Sequence, residues 1–213
     1  PTKIEEGRID EIRECIGCNM CVAGQHSSTP MRCTQNPTVG EEWRRGWHPE
    51  KLADKGSQSS ILIVGAGPAG LEAARALGQR GYKVTLAEAR KTLGGRVSQE
   101  ATLPGLAAWA RVRDWRIGRL REMANVDIYL DSKLTASQIL EFGYDRVVLA
   151  TGASWRRDGI GVSNQQPIEI TEGAGVFTPE DLFENVEHEF AGPVVVFDDD
   201  NFDRKSTRLN SSH

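Results

Sequence analysis

An apolar strand, a glycine-rich turn and an amphipathic helix follow one another between residues 61 and 81, and this order constrains the fold most strongly. Residues 61–64 are apolar and lead directly into a six-residue turn made of Gly65, Ala66, Gly67, Pro68, Ala69 and Gly70. Apolar residues then recur at helical spacing until Gly81. A second apolar strand at residues 83–87 ends in Glu88, eighteen residues past Gly70. The pattern predicts an α/β fold with a parallel sheet and a Rossmann-like, dinucleotide-binding βαβ unit.

Each residue type in this unit has a physical task in nucleotide binding. Gly65 allows the tight turn, Gly67 lets a pyrophosphate approach the backbone, and Gly70 permits close packing of helix on strand. The phosphates would lie at the helix N-terminus, where free N–H groups and the positive dipole end favour anions. Glu88 would accept hydrogen bonds from the adenosine ribose, and its charge would repel the 2′-phosphate of NADP. A glycine-rich turn in an unrelated α/β fold is the alternative.

Two further segments are candidates for cofactor contact. Gly95 and Arg96 lie in a Leu-Gly-Gly-Arg-Val run, where backbone and positive charge could meet a phosphate, although a plain turn with a solvated arginine fits equally well. Thr151 and Gly152 end a strand predicted from residue 145 onward, where the adenosine side of a cofactor could approach, or they make only a turn. Residues 106–123 predict a long helix whose tryptophans pack in the core or an interface, and residues 126–130 predict another strand.

The chemistry of the chain is indicated by its four cysteines, which lie within nineteen residues at Cys15, Cys18, Cys21 and Cys33. Three thiols at successive x2 spacings and a fourth eleven residues later can close a tetrahedral thiolate set, which suits a [4Fe-4S] cluster. Zinc is the main competitor, but zinc sites of four cysteines usually use two separate CxxC pairs. Disulfides are the other alternative, although bridges between such close neighbours would be strained.

Composition and charge narrow the class of protein. The formal net charge of -4 argues against a nucleic-acid surface, and no apolar run approaches the roughly eighteen residues of a membrane span. No secretory signal precedes the cysteines. We therefore expect a cytoplasmic protein that binds neither nucleic acid nor membrane.

The motifs together resemble the trimethylamine, dimethylamine and histamine dehydrogenase family of iron-sulfur flavoproteins. The resemblance rests on CIGCNMC with the distant Cys33, on GEEWRRGWHPE at residues 40–50, and on the GAGPAG, LGGRV and VVLATGA segments. It extends to about residue 200. The 2,4-dienoyl-CoA reductases are related, but by resemblance they have one more residue between the second and third cysteines.

The resemblance implies an enzyme in which an N-terminal (β/α)8 barrel holds FMN and oxidises a small amine. Electrons then pass through the [4Fe-4S] cluster to an electron-transfer flavoprotein. The domain with the glycine turn would hold ADP or FAD, and the sequence leaves that choice open. No residue of this chain is predicted to be catalytic, because the substrate site would lie in the barrel.

The resemblance also predicts how the chain is divided, as a fragment truncated at both ends. We expect a cluster-binding segment at residues 1–57, an ADP- or FAD-binding domain at residues 58–160, and a connector with the first strand of a second nucleotide-type domain at residues 161–202. A barrel needs about 250 residues, which do not precede Pro1. Residues 203–213 resemble a translated adapter, and we expect them to be a non-native, disordered tail.

Two other functions remain open on the sequence. One is an NADPH-dependent reductase of the 2,4-dienoyl-CoA or enoate type. Bound FAD and oxidation of NADPH by the full-length protein would support this function. The other is a stand-alone module that binds zinc and a nucleotide. A homodimer is compatible with each of these interpretations.

Overall fold

The structure is a computed structural model that describes residues 2–26, 29–48, 51–184 and 192–197. The chain separates into two units, of which the first ends at Gly152 and the second begins at Ala153. The predicted segments at residues 1–57, 58–160 and 161–202 stay predictions. The cysteine segment and the βαβ unit both belong to the first unit.

The first unit combines seven helices with four strands among its described residues. The helices are α1 (Thr2–Glu5), α2 (Met20–His26), α3 (Glu42–Arg45), α4 (Pro68–Gln79), α5 (Arg96–Glu100), α6 (Ala110–Arg121) and α7 (Ala136–Glu141). Short 3₁₀ turns lie at Ile9–Glu11 and Ala107–Trp109. The strands are β1 (Ser60–Val64), β2 (Lys83–Ala87), β3 (Val126–Tyr129) and β4 (Arg146–Leu149).

The four strands form one parallel sheet in the order β3-β2-β1-β4. In the register, Ile61 of β1 pairs with Val84 of β2 on one side and with Arg146 of β4 on the other. Consecutive parallel strands need crossover connections, which α4 supplies between β1 and β2. The predicted Rossmann-like α/β fold is confirmed.

Strand β1 is apolar along its length because helices or loops cover both of its faces. On one face Ile61 and Ile63 belong to the main core, which also contains Ala66, Leu71, Ala74, Val84, Leu86 and Leu120. On the other face Leu62 and Val64 pack with Ala87, and Leu134, Ile139 and Tyr144 cover them. Burial on both faces is typical of parallel strands and explains the unbroken apolar run in the sequence.

Helix α4 is fixed to the sheet at both of its ends. Its C-terminal turn passes close to β3, because a Cβ on Gly78 would lie 2.6 Å from the Val126 side chain. The Asn125 side chain donates to the carbonyl groups of Gly78 at 2.9 Å and of Tyr82 at 2.6 Å. These contacts anchor the C-terminal turn of α4 beside β3, and the close approach of Gly70 to the Gly65 carbonyl anchors its N-terminal end.

One helix and one strand are shorter than the sequence predicts. The α-helix expected at residues 106–123 covers Ala110–Arg121, because the chain enters it through the 3₁₀ turn in which Trp109 N–H donates to the Leu106 carbonyl at 2.8 Å. The strand expected to reach residue 130 ends at Tyr129. The helix and the strand themselves are confirmed.

The second unit contains helix α8 (Pro179–Glu184) among its described residues. Asp181 caps the start of this helix, accepting from Thr178 N at 2.6 Å, and it pairs with Arg157 at 2.6 Å. The Arg157 hydrogen bond, reinforced by the Thr178 N–H, lowers the pKa of Asp181 to about 2.

The strand predicted at the start of a second nucleotide-type domain does not form at residues 192–197, which are exposed and have no regular structure. The second nucleotide-type domain itself stays a prediction. A parallel strand needs a neighbouring strand and a covering helix, and the described residues supply neither there. The predicted tail at residues 203–213 lies outside the described residues.

No helix in the described part of the chain has the length and apolar character needed to cross a membrane.

Candidate nucleotide and metal sites

The turn between β1 and α4 depends on glycines that have no room for a side chain. Gly65 has φ +101°, in the left-handed region, and a Cβ on it would lie 2.3 Å from the Ala150 carbonyl oxygen. A Cβ on Gly70 would lie 1.9 Å from the Gly65 carbonyl oxygen. Gly65 N–H also donates to the Ala87 carbonyl at 2.8 Å. The turn therefore brings the carboxyl ends of β1, β2 and β4 against the start of α4.

Gly67 differs from Gly65 and Gly70 because its side-chain position is open. It is the N-cap of α4, and a Cβ on it would meet no protein atom within 4 Å. Pro68 is the first residue of the helix and Ala69 lies in its first turn. The first N–H groups of a helix have no partner within the helix, and its positive dipole end lies there. This open cradle fits a pyrophosphate.

The second glycine segment lies directly against the first. A Cβ on Gly95 would lie 2.9 Å from Gly67 Cα, and Gly94 N–H donates to the Ala66 carbonyl at 2.8 Å. Gly95 is the N-cap of α5, and half-buried Arg96 is the first residue of that helix. The structure thus brings the predicted residues Gly95 and Arg96 to the same turn as Gly67.

Glu88 lies at the carboxyl end of β2 and is buried, with 7% of its surface exposed. One carboxylate oxygen accepts from Ala66 N–H at 2.7 Å and the other from Arg90 N–H at 2.9 Å. The side chain therefore supports the glycine turn itself. The sequence pattern did not predict this role, and contact of Glu88 with a ribose stays a prediction.

Thr151 and Gly152 follow β4 at the same edge of the sheet. A Cβ on Gly65 would lie 3.1 Å from Thr151 Cα, so Thr151 is adjacent to the turn. Both residues are exposed, and Gly152 has φ +80° with no atom near its side-chain position. All the predicted nucleotide-binding residues therefore lie at one end of the sheet, as the topology of a parallel sheet requires.

Two of the cysteines, Cys15 and Cys18, lie in the segment that leads into α2, Cys21 lies within α2, and Cys33 lies in the loop that follows it. All four are free thiols, and Cys15 is exposed whereas the other three are half-buried: Cys18, Cys21 and Cys33. The disulfide alternative is therefore not observed. Across the described residues, no three His, Cys, Asp or Glu side chains are grouped closely enough to hold a metal ion. The structure brings the cysteines into one region without bringing their sulfur atoms to one point.

Three of the sulfur atoms each have one hydrogen-bond contact, which for two of them comes from a backbone N–H. Gly17 N–H donates to Cys15 Sγ at 3.3 Å, and Gln35 N–H donates to Cys33 Sγ at 3.4 Å. Cys18 Sγ lies 3.1 Å from the hydroxyl of Thr34, the residue after Cys33. N–H groups directed at sulfur stabilise thiolates and tune iron-sulfur clusters, so the donor set fits a cluster.

The cysteine segment is packed onto the helices next to the glycine turn. Ile16 is buried against Val97 of α5 and Val112 of α6, and Cys18 and Trp109 cover this small core. Arg111 donates to the Cys15 carbonyl at 3.0 Å. Since α5 begins at Arg96, this short helix contacts both the glycine turn and the cysteine segment.

A buried group of charges joins the cysteine segment to α4 and α6. Glu72 on α4 accepts from Arg75 at 2.8 Å and from Arg116 at 2.7 Å, and Arg13 lies 3.5 Å from it. Burial alone would raise the pKa of Glu72, but the hydrogen bond from Arg75 and the charges of the three arginines lower it below its ordinary value. Burial lowers the pKa of Arg13 to about 10.

Trp115 is half-buried within this charged group. The Arg13 guanidinium lies 4.0 Å from the centroid of its ring and the Arg75 guanidinium 5.7 Å. Trp115 thus has the packing role predicted for it, with cation–π contacts to two arginines. The sequence did not point to the charged group, because Glu72, Arg75 and Arg116 look like ordinary charges on amphipathic helices; the i,i+3 spacing of Glu72 and Arg75 was the available signal.

Sequence comparison identifies the family of the sheet domain. Residues 59–181 match the pyridine nucleotide-disulphide oxidoreductase family. The chain is 47% identical over 192 residues to dimethylamine dehydrogenase from Hyphomicrobium sp. (strain x), covering 86% of the chain and 26% of that protein.

Two solved structures have the same fold at high sequence identity. Histamine dehydrogenase from Rhizobium sp. 4-9 has a TM-score of 0.83 and 55% identity, with 89% of this chain and 27% of that chain covered. The 6-hydroxypseudooxynicotine amine oxidase from Pseudomonas geniculata N1 has a TM-score of 0.80 and 50% identity, with 86% and 28% covered. The chain thus spans about a quarter of the length of these relatives.

Proposed function

Because the chain belongs to the pyridine nucleotide-disulphide oxidoreductase family, in the branch that contains the amine dehydrogenases, we propose that it is the nucleotide-binding and electron-relay part of an amine-oxidising flavoprotein. The observation that carries the proposal is the open cradle at Gly67, which lies next to the helices that pack against the cysteine segment at residues 15–18.

The adenine nucleotide, as ADP or as part of FAD, would be bound at the carboxyl edge of the sheet. Its pyrophosphate would lie against Gly67 at the N-terminus of α4, where N–H groups and the helix dipole stabilise negative charge. Arg96 would add a positive charge. Glu88 would accept from the ribose hydroxyls, and Thr151 and Gly152 would face the adenosine side. The remaining turn residues shape this cradle: Gly65, Ala66, Pro68, Ala69, Gly70 and Gly95.

The metal site would be formed by Cys15, Cys18, Cys21 and Cys33 with a [4Fe-4S] cluster. When bound, such a cluster supplies one-electron transfer between a flavin and an external acceptor. The chain itself provides thiolate ligands, N–H donors to two sulfur atoms, and partial burial, which together set how tightly the cluster is held. The exposed position of Cys15 would leave a short route to an electron acceptor.

The whole protein would act on a small amine, with FMN and the substrate bound in a barrel domain and an electron-transfer flavoprotein as the acceptor. These assignments are supported by the resemblance to the amine dehydrogenases and by the amine dehydrogenase and amine oxidase activities of the relatives. The residues of this chain would then bind cofactors and relay electrons without touching the substrate.

Nucleotide titration of the wild-type chain and the Gly67→Ala variant tests the nucleotide site. Gly67 has φ -70° and no neighbour within 4 Å of its side-chain position, so alanine should leave the fold intact while filling the cradle. We expect ADP affinity, measured by calorimetry, to fall about tenfold or more, which corresponds to about 1.4 kcal/mol. The matched control is Gly118→Ala on α6, where a Cβ also meets nothing within 4 Å.

Three results would count against parts of this proposal. Equal ADP affinity in the wild type and Gly67→Ala would exclude the cradle as the phosphate site. Weak binding of ADP by the wild type, with tight binding of FAD and oxidation of NADPH by the full-length protein, would favour the reductase alternative. Failure of the wild type to bind any adenine nucleotide would remove the nucleotide-binding function.

A further inference from the structure

Gln35 is a buried residue whose backbone and side-chain groups are all engaged. It is 3% exposed, and its N–H donates to Cys33 Sγ at 3.4 Å. Its backbone carbonyl accepts from Arg13, and its side-chain oxygen accepts from Arg116 at 3.0 Å. Its side-chain amide donates to the Glu14 carbonyl at 3.1 Å. Gln35 therefore fixes the position of Cys33 relative to α6 and to the chain just before the first cysteine.

Arg116 continues this connection to the nucleotide helix. It is 3% exposed and donates to Glu72 Oε2 at 2.7 Å and to the Val112 carbonyl at 2.7 Å. Glu72 lies on α4 two positions after Gly70. A continuous set of hydrogen bonds thus runs from the Cys33 sulfur through the buried residues Gln35 and Arg116 to the helix that begins at the glycine turn.

The charges behind Cys33 do not cancel. Arg13, Arg75 and Arg116 surround Glu72, and three positive charges against one negative charge leave a net charge of +2. A cluster held by four thiolates is anionic and becomes more negative on reduction. Positive charge in a poorly solvated environment therefore favours its reduced state.

We propose that Gln35 is a positioning residue for the metal cluster, holding Cys33 against the buried arginines so that their charge raises the reduction potential of the cluster. The inference rests on the proposed function, because it needs a cluster at the four cysteines. The arginine charges that pair with Glu72 on α4 would then also determine how readily the cluster accepts an electron.

Two substitutions with opposite expected effects test this inference. Gln35→Glu keeps the shape of the side chain and places a negative charge opposite Arg116, so we expect a lower midpoint potential than in the wild type. Glu72→Gln removes the negative charge among the arginines, so we expect a higher midpoint potential. Opposite shifts would show that the charges of this group act on the cluster. A purely structural effect of the substitutions would not follow the sign of the change in charge.

The measurement is a redox titration of the full chain, reconstituted with iron and sulfide without oxygen and followed by electron paramagnetic resonance. Near-UV circular dichroism of each variant verifies its folding. The control is Gln165→Glu, the same chemical change at an exposed position of the second unit, for which we expect the wild-type potential.

The outcomes separate this inference from the proposed function. Potentials that do not change, or that shift in the same direction in both variants, overturn the role of Gln35 and the arginines while the cluster assignment stands. If Gln35→Glu does not retain a cluster, the midpoint potential of Glu72→Gln tests the electrostatic role. A potential equal to that of the wild type would contradict that role. A wild-type chain that takes up no iron overturns both proposals.

Discussion

Arg116 on α6 and Glu72 on α4 form a part-buried ion pair, with Arg116 Nε 2.7 Å from Glu72 Oε2. The Arg116 side chain is 4% exposed and that of Glu72 23%. Through this pair the two helices that pack side by side on the sheet also hold the cysteine segment, since Arg116 contacts Gln35 as well. The stability of the sheet domain therefore depends in part on Gln35, which lies in the cysteine segment outside it.

Removal of Arg116 should destabilise the chain. Arg116→Met leaves the buried side-chain oxygen of Gln35 without its donor and Glu72 with two of its three arginine partners, and a buried polar group left unsatisfied costs about 1 to 3 kcal/mol. Urea unfolding followed by circular dichroism measures this change in the free energy of unfolding. Arg121→Met at the exposed end of the same helix is the control, with an expected change within about 0.5 kcal/mol. Equal effects of the two substitutions would show that the ion pair contributes little.

The charge of Glu72 should make stability depend on pH in the acid range. Its pKa is lowered in the folded chain, so its stabilising effect is complete above the pKa of the unfolded chain and is lost as the pH falls through the folded pKa. We expect the difference in unfolding free energy between the wild type and Glu72→Gln to shrink as the pH is lowered below about 4.5. Denaturant titrations across this range measure it. A difference that stays constant with pH would mean that the Glu72 charge does not matter.

A methyl group at Gly70 should disrupt the fold, whereas one at Gly67 should not. The Cβ of Gly70→Ala would lie 1.9 Å from a backbone oxygen that cannot move without displacing the turn. We expect destabilisation of about 3 kcal/mol or more, measured as a fall in the thermal unfolding midpoint. Gly67→Ala should unfold at a temperature close to that of the wild type. Similar midpoints for the two variants would contradict the packing of the turn.

Glu88 should both stabilise the turn and select against 2′-phosphorylated nucleotides. Glu88→Ala leaves the buried Ala66 N–H without its acceptor, which costs about 1 to 3 kcal/mol of unfolding free energy. Glu88→Gln keeps an acceptor but removes the charge, so we expect the preference for ADP over its 2′-phosphate to decrease. Calorimetric titration with both nucleotides measures the ratio of affinities. An unchanged ratio would exclude charge repulsion by Glu88 as the source of the preference.

Much of the sheet domain could be predicted because its signals are local. The signals follow one another within about thirty residues: the apolar run of β1, the glycines at residues 65, 67 and 70, and the acid at residue 88. Each of these residue types indicates the backbone structure at its own position. The sequence also predicts the edge of the sheet at which Thr151 and Gly95 lie next to the turn, because the carboxyl ends of parallel strands lie at the same edge.

The remainder depends on contacts between distant parts of the chain. Gln35 and Arg116 are 81 positions apart, and neither residue type at its position indicates the other. The second hydrogen bond of Glu88 depends on the exact path of the turn. The described residues 192–197 of the expected strand have no neighbouring strand with which to pair. Propensity predicts a strand from composition alone, whereas a parallel strand forms only beside a neighbour.

The most direct test of the central claim is the iron and acid-labile sulfide content of the chain purified without oxygen, compared with that of Cys33→Ser. The account predicts a brown wild-type protein with about four iron and four sulfide ions per chain, and a marked loss of both in the variant. A colourless wild-type protein that contains one zinc ion and no sulfide would contradict it and would favour the zinc-binding module.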